Sequence, residues 1–186
     1  MTFVASVAAL GTAFEVQAGL PARPYAPNQY IALAGLPAVA GCEFHIYAGP
    51  VLVELLANRW PTSVKIDEAP IAHAPPTYST WLTGLQGVHG SMIANAFVQY
   101  FEANRDRIEA KHGSSPQGWP STWNFGRIIR NAFAHGGKIN ITNSAAAPAT
   151  WRSLSYSAAQ NGLQLLYKDL TAVEVILLME EMDALL

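Results

Sequence analysis

Between Trp123 and Gly137 the chain carries one apolar stripe that leaves little choice of local structure. Phe125, Ile128, Ile129, Ala132 and Phe133 recur at i, i+3, i+4, i+7 and i+8, the spacing of a helix that turns one face to a core. Gly136-Gly137 follows, and a helix commonly stops where glycine takes a left-handed backbone. The side away from the stripe must look outward. At about 100° per residue, Arg130, Ala134, Arg127, Asn131 and His135 follow one another across an arc of roughly 140°. Two guanidinium groups, an amide and an imidazole therefore share one face, and Ala134 is the only small residue among them.

That set of side chains suits proton transfer beside a phosphate. Arginine offers a planar fork of donors to phosphate oxygens and does not lose its proton. Histidine is the side chain whose ordinary titration lies near neutrality, so it can take or give a proton. A plainer description fits the same residues: a solvated helix face, with His135 as the last polar residue ahead of a glycine stop.

The run Arg130-Asn131, three residues, His135 resembles the Arg-x4-6-His motif of the HEPN superfamily. These are helical-bundle proteins that include metal-independent endoribonucleases of toxin and antiphage systems. In that family the motif lies on a late helix, often with Asn after the Arg, and a further apolar helix follows, as residues 169–186 do here. The resemblance extends from about residue 75 to the C-terminus, and residues 1–75 carry no resemblance. It implies a mainly α fold, a HEPN-like helical bundle with a small antiparallel β insert after the motif helix. It also implies that Arg130 and His135 are the catalytic pair, with Asn131 orienting them. Arg127, on the same face, is assigned to substrate binding. RNA is the implied substrate, no cofactor is implied, and two subunits of a homodimer are expected to bring their motifs together across a cleft. An antitoxin or other partner protein belongs to the same expectation. The alternative is a non-catalytic dimerisation module whose arginines grip a nucleotide, a phosphate or an acidic protein.

Composition bounds these expectations. A chain of 186 residues is most simply one domain with a real core. Only 13% of residues are charged against 51% hydrophobic, which points to apolar surface covered by a partner or second subunit. A net charge of -2 excludes a broad basic platform, so RNA contact must be local, through Arg127 and Arg130 with Arg105-Asp106-Arg107 as a second candidate. The single cysteine, Cys42, excludes an intramolecular disulfide and is read as a small buried hydrophobe. Cys42 and His45 lack a second ligand pair at usable spacing, so no metal site is expected. Residues 1–20 are apolar, but no Lys or Arg precedes Arg23 and Glu15 interrupts them, which argues against a signal peptide. No run is long enough to span a membrane. A cytoplasmic protein is expected.

Along the chain, residues 3–7 and 12–17 read either as two strands or as one Ala-rich helix, strands being preferred. Residues 31–33 and 43–47 are candidate strands, and residues 62–76 read as a loop. Helices are predicted near 50–60, 77–111, 121–135 and 169–185. Ser121 and Asp169 are the expected caps of the last two. Gly84, Gly87 and Gly90 either admit a close neighbour or break the long helix. Alternating side chains between Lys138 and Lys168, with Asn161-Gly162 as the hairpin signal, predict a three-stranded insert.

Overall fold

The structure, a computed structural model, describes residues 28, 30–72, 83–143 and 145–186. The candidate strands at 3–7 and 12–17 lie outside these residues. The chain divides into two compact units, Met1–Gly35 with Gly41–Met92, and Leu36–Ala40 with Ile93–Leu186. Helices and two small antiparallel sheets both contribute, so the class is mixed α and β.

In the first unit β1 (Ile31–Ala34), β2 (Cys42–Ile46) and β3 (Ile66–Pro70) form an antiparallel sheet in that order. Cys42, Phe44 and Ile46 share one face of β2 and are buried, and Glu43 on the other face is buried as well, which leaves only His45 partly exposed. The strand β3 corrects the loop expected over residues 62–76. Its sequence, Ile-Asp-Glu-Ala-Pro, has no strand alternation, and pairing with β2 from Ile46↔Ile66 to Cys42↔Pro70 supplies what local pattern does not. Helix α1 (Ala48–Leu56) stops short of the predicted residue 60, because Asn58 turns left-handed at φ 56°, a conformation that asparagine tolerates better than most residues.

Helix α2 (Thr83–His112) runs unbroken through its three glycines, and a Cβ at Gly87 would meet nothing. Helix α3 (Ser121–Ala134) carries the motif. All five residues of its predicted stripe are buried, as are Trp123 and Gly126. Phe133 meets Phe97 of α2 edge to face at 5.8 Å, and Trp123 meets Phe101 at 5.3 Å, which sets the two helices antiparallel. The hairpin of β4 (Ala149–Trp151) and β5 (Leu154–Tyr156) covers a second side, with Tyr156 stacked on Phe125 at 5.3 Å. Helix α4 (Ala172–Asp183) covers a third. There the Trp123 indole donates to the Met182 carbonyl at 2.9 Å, and a Cβ on Gly126 would lie 2.7 Å from the Met182 sulfur.

Three local expectations are corrected. Ser121 is the first helical residue rather than the cap; Pro120 holds the cap position without a side-chain bond, and its carbonyl accepts from Asn124 N–H at 3.0 Å. Asp169 does not cap α4, because its carboxylate accepts from the Tyr156 hydroxyl at 3.0 Å. Thr171 caps instead, with Glu174 completing a capping box. The insert has two strands and an isolated bridge, Lys138↔Gln164, not three strands. The Asn161 amide takes the place of a ladder, accepting from Ile141 N–H at 2.7 Å and donating to its carbonyl at 3.0 Å. The hairpin turn falls at Arg152-Ser153, with Arg152 at φ 50°. Its strain is offset by a guanidinium held on Glu181 at 2.7 Å and on the Val39 and Ala40 carbonyls at 3.3 Å.

Leu170, Val173, Ile176, Leu177 and Leu178 are all buried within the chain. Glu174 is fully buried. One carboxylate oxygen accepts from Thr171 N–H at 2.7 Å and the other from Leu36 N–H at 2.5 Å. Glu174→Ala removes a cap and orphans a partly buried N–H, and is expected to cost on the order of 2–4 kcal/mol. Urea unfolding measures this. A Gln at the position keeps one acceptor and should lose less, and wild-type stability in the Ala variant would show that the two bonds contribute nothing.

Candidate functional site

The packing of α3 on three sides leaves one narrow face uncovered. Arg127, Arg130 and Asn131 are half-buried there, and Ala134 and His135 are exposed. The structure thus places Arg127, Arg130 and Asn131 on one helix and His135 at its C-cap. It does not give them one environment.

Arg130 is engaged. Its Nε and Nη2 both approach Glu102 Oε1 at 2.5 Å, and its Nη1 donates to Asn131 Oδ1 at 3.3 Å. A guanidinium has five N–H donors, so one N–H on each terminal nitrogen stays open. The side chains of Arg130 and Glu102 are 30% and 39% exposed, and an ion pair so wetted contributes about 0.2–1 kcal/mol. Such a pair orients the fork and can be exchanged for a ligand at small cost. Glu102 has no place in the sequence motif. It directly follows buried Phe101 and opens a charged stretch that is otherwise exposed, and a single carboxylate there gives no signal that it reaches α3. The other candidate RNA contact is occupied within its own helix, Arg105 by Glu109 at 2.7 Å and Arg107 by Asn104 at 2.9 Å.

Arg127 is unlike Arg130. Its Nε is buried and has no hydrogen-bond partner, and burial lowers its pKa from the ordinary guanidinium value. His135 sits at the C-cap with φ -123° and ψ 42°, and its ring makes no hydrogen bond among the described residues. Beyond it Gly136 and Gly137 have φ 82° and 78°, and Gly137 N–H reaches back to the Ala132 carbonyl at 2.7 Å. This six-to-one bond with a left-handed residue inside it is a Schellman closure. It ends α3 one residue before the imidazole and frees that ring from the helix surface.

Among the described residues no group of three or more His, Cys, Asp or Glu side chains is arranged to hold a metal ion, and no helix is long and apolar enough to cross a membrane. Cys42 is buried, as its composition context suggested. His45 is held by Glu43 at 2.7 Å and stacked on Tyr30 at 3.8 Å. No family model matches the chain, and no match is found among curated proteins or solved structures.

A Cβ at Gly136 would meet nothing within 4 Å, so substitution there tests the left-handed backbone alone. Gly136→Ala is expected to destabilise by about 1–2 kcal/mol, lowering the melting temperature by roughly 2–8 °C. An unchanged melting temperature would mean that the glycine does not set the end of α3.

Proposed function

We propose that the chain is a HEPN-like domain acting as a metal-independent endoribonuclease, of the kind found in toxin and antiphage systems. The single observation that carries this reading is the state of the motif face: Arg130 is oriented by Glu102 and Asn131 with two N–H donors left open, while His135 stands exposed and unpartnered at the end of the same helix. Support for the fold comes from the antiparallel α2 and α3, with the motif on the second of them and an apolar helix after it.

In this reading the ribose 2'-hydroxyl attacks the adjacent phosphorus and the 5'-oxygen leaves, giving a 2',3'-cyclic phosphate and a 5'-hydroxyl. Arg130 donates to the nonbridging oxygens, where negative charge grows in the transition state. His135 takes the proton from the 2'-hydroxyl or delivers one to the leaving oxygen. One histidine cannot fill both roles in one turnover, so the second comes from the motif of another copy facing it across a cleft. Dimerisation is then part of the chemistry. A second reading is a non-catalytic binding module in which the same arginines grip a nucleotide, a phosphate or an acidic protein; a wetted Glu102 pair that exchanges at small cost suits it equally.

Purified protein is expected to cut single-stranded RNA in EDTA and to leave DNA intact, because DNA lacks the nucleophile. His135→Ala should lower the rate by about 10²- to 10⁴-fold, and Arg130→Ala by about 10²- to 10³-fold. Undiminished cleavage by His135→Ala would overturn the assignment. Absence of cleavage by the wild type would select the binding module. Light scattering at micromolar protein should give the mass of a dimer, and a strictly monomeric species that still cuts RNA would remove the two-subunit site.

A further inference from the structure

Arg127 is the charge on α3 that no other described residue compensates. Among the described residues every other arginine has a polar partner: Arg59 has Glu54, Arg105 has Glu109, Arg107 has Asn104, Arg130 has Glu102 and Arg152 has Glu181. Arg127 has none, and its Nε is shut away from water as well. A long basic side chain normally lays its stem on apolar surface and keeps its head in water. Here the near end of the head is below the surface, and its burial carries no compensating carboxylate. Unpaired buried donors are rare in proteins because each costs about 1–3 kcal/mol, and more on a charged group. Around the helix, Arg127 lies between half-buried Arg130 and Asn131, with exposed Ala134 on the same side; only its Nε is buried, so an anion would meet the guanidinium at the two terminal nitrogens. Asn131 completes the setting. Its carbonyl oxygen accepts from Arg130 Nη1 at 3.3 Å, and its amide nitrogen makes no hydrogen bond among the described residues.

We infer that Arg127, together with the Asn131 amide, receives a phosphate group, and that this is where a ligand is first held while Arg130 remains on Glu102. The inference deepens the ribonuclease reading by separating a holding phosphate from the scissile one, and rests on it only where the phosphate belongs to RNA. A free phosphate would satisfy the same donors.

The test follows binding, not cleavage. Inorganic phosphate, and separately a short thymidine deoxy strand that cannot be cut, are titrated into the full chain while arginine Nε–H resonances are recorded, with Arg127→Gln providing the assignment. The Arg127 resonance is expected to shift with at least one probe. Arg127→Gln should weaken strand binding about tenfold or more and reduce the slope of log affinity against log salt by about 0.7. Arg127→Lys should restore the slope but only part of the affinity, since it keeps the charge and loses the fork. Removing an unpaired buried charge should leave the melting temperature at or above wild type, which separates lost binding from lost folding. A shift with phosphate alone identifies a site for the free anion, and one with the strand alone identifies a backbone contact; either supports the assignment. No shift with either probe, or unchanged strand affinity and slope in Arg127→Gln, would overturn it. Arg127-dependent binding without RNA cleavage would sink the nuclease reading and leave this one standing, and cleavage with Arg127-independent binding would do the reverse.

Discussion

The burial of α3 on three sides is the constraint on which the remaining features depend. Each of its large apolar side chains contributes about 1.5–3 kcal/mol when removed from water, and Trp123, Phe125 and Ile129 are completely buried. A wetted ion pair such as Arg130 with Glu102 contributes a fraction of one such residue. Packing therefore decides where the motif helix lies, and polar contacts decide only how its side chains are aimed. At Gly126 the end of the Met182 side chain occupies the space of a Cβ, so any side chain there would force that thioether to move.

The same constraint divides two arginines three residues apart. Phe101 is locked against Trp123, and the residue after it on a helix is turned by about 100°, which brings Glu102 to the rim beside Arg130. Among the described residues no acidic side chain reaches Arg127. Identical side chains on one helix thus differ in charge compensation because of which residues on α2 stand next to them.

Much of this was legible in the sequence where a pattern repeats and illegible where a single contact decides. The stripe from Phe125 to Phe133 and the glycine stop are local patterns, and the structure has the first buried and the second closed as expected. The strand Ile66–Pro70 has no pattern of its own and exists through its partner. Asp169 has the side chain of a cap, but the Tyr156 hydroxyl engages it and Thr171, two residues on, caps instead. Asn161-Gly162 carries the residues of a tight hairpin, yet the turn went to Arg152-Ser153, where Glu181 and two carbonyls hold a strained arginine. Of the site, Arg127, Arg130 and Asn131 on α3 and His135 at its C-cap could be picked from spacing. Glu102 could not, because its meaning arises from antiparallel packing of two helices.

The bond from Leu36 N–H to Glu174 joins residues 138 positions apart, and this has a bearing on how the protein is made. At roughly 5–20 residues per second on the ribosome, the acceptor is synthesised on the order of 10 s after the donor. Throughout that interval Leu36, and the Ala38, Val39 and Ala40 carbonyls that later receive Ser153 and Arg152, must be satisfied by water. The Leu36–Ala40 segment thus belongs, in order of assembly, to the C-terminal end of the chain, and closing it is among the last events of folding.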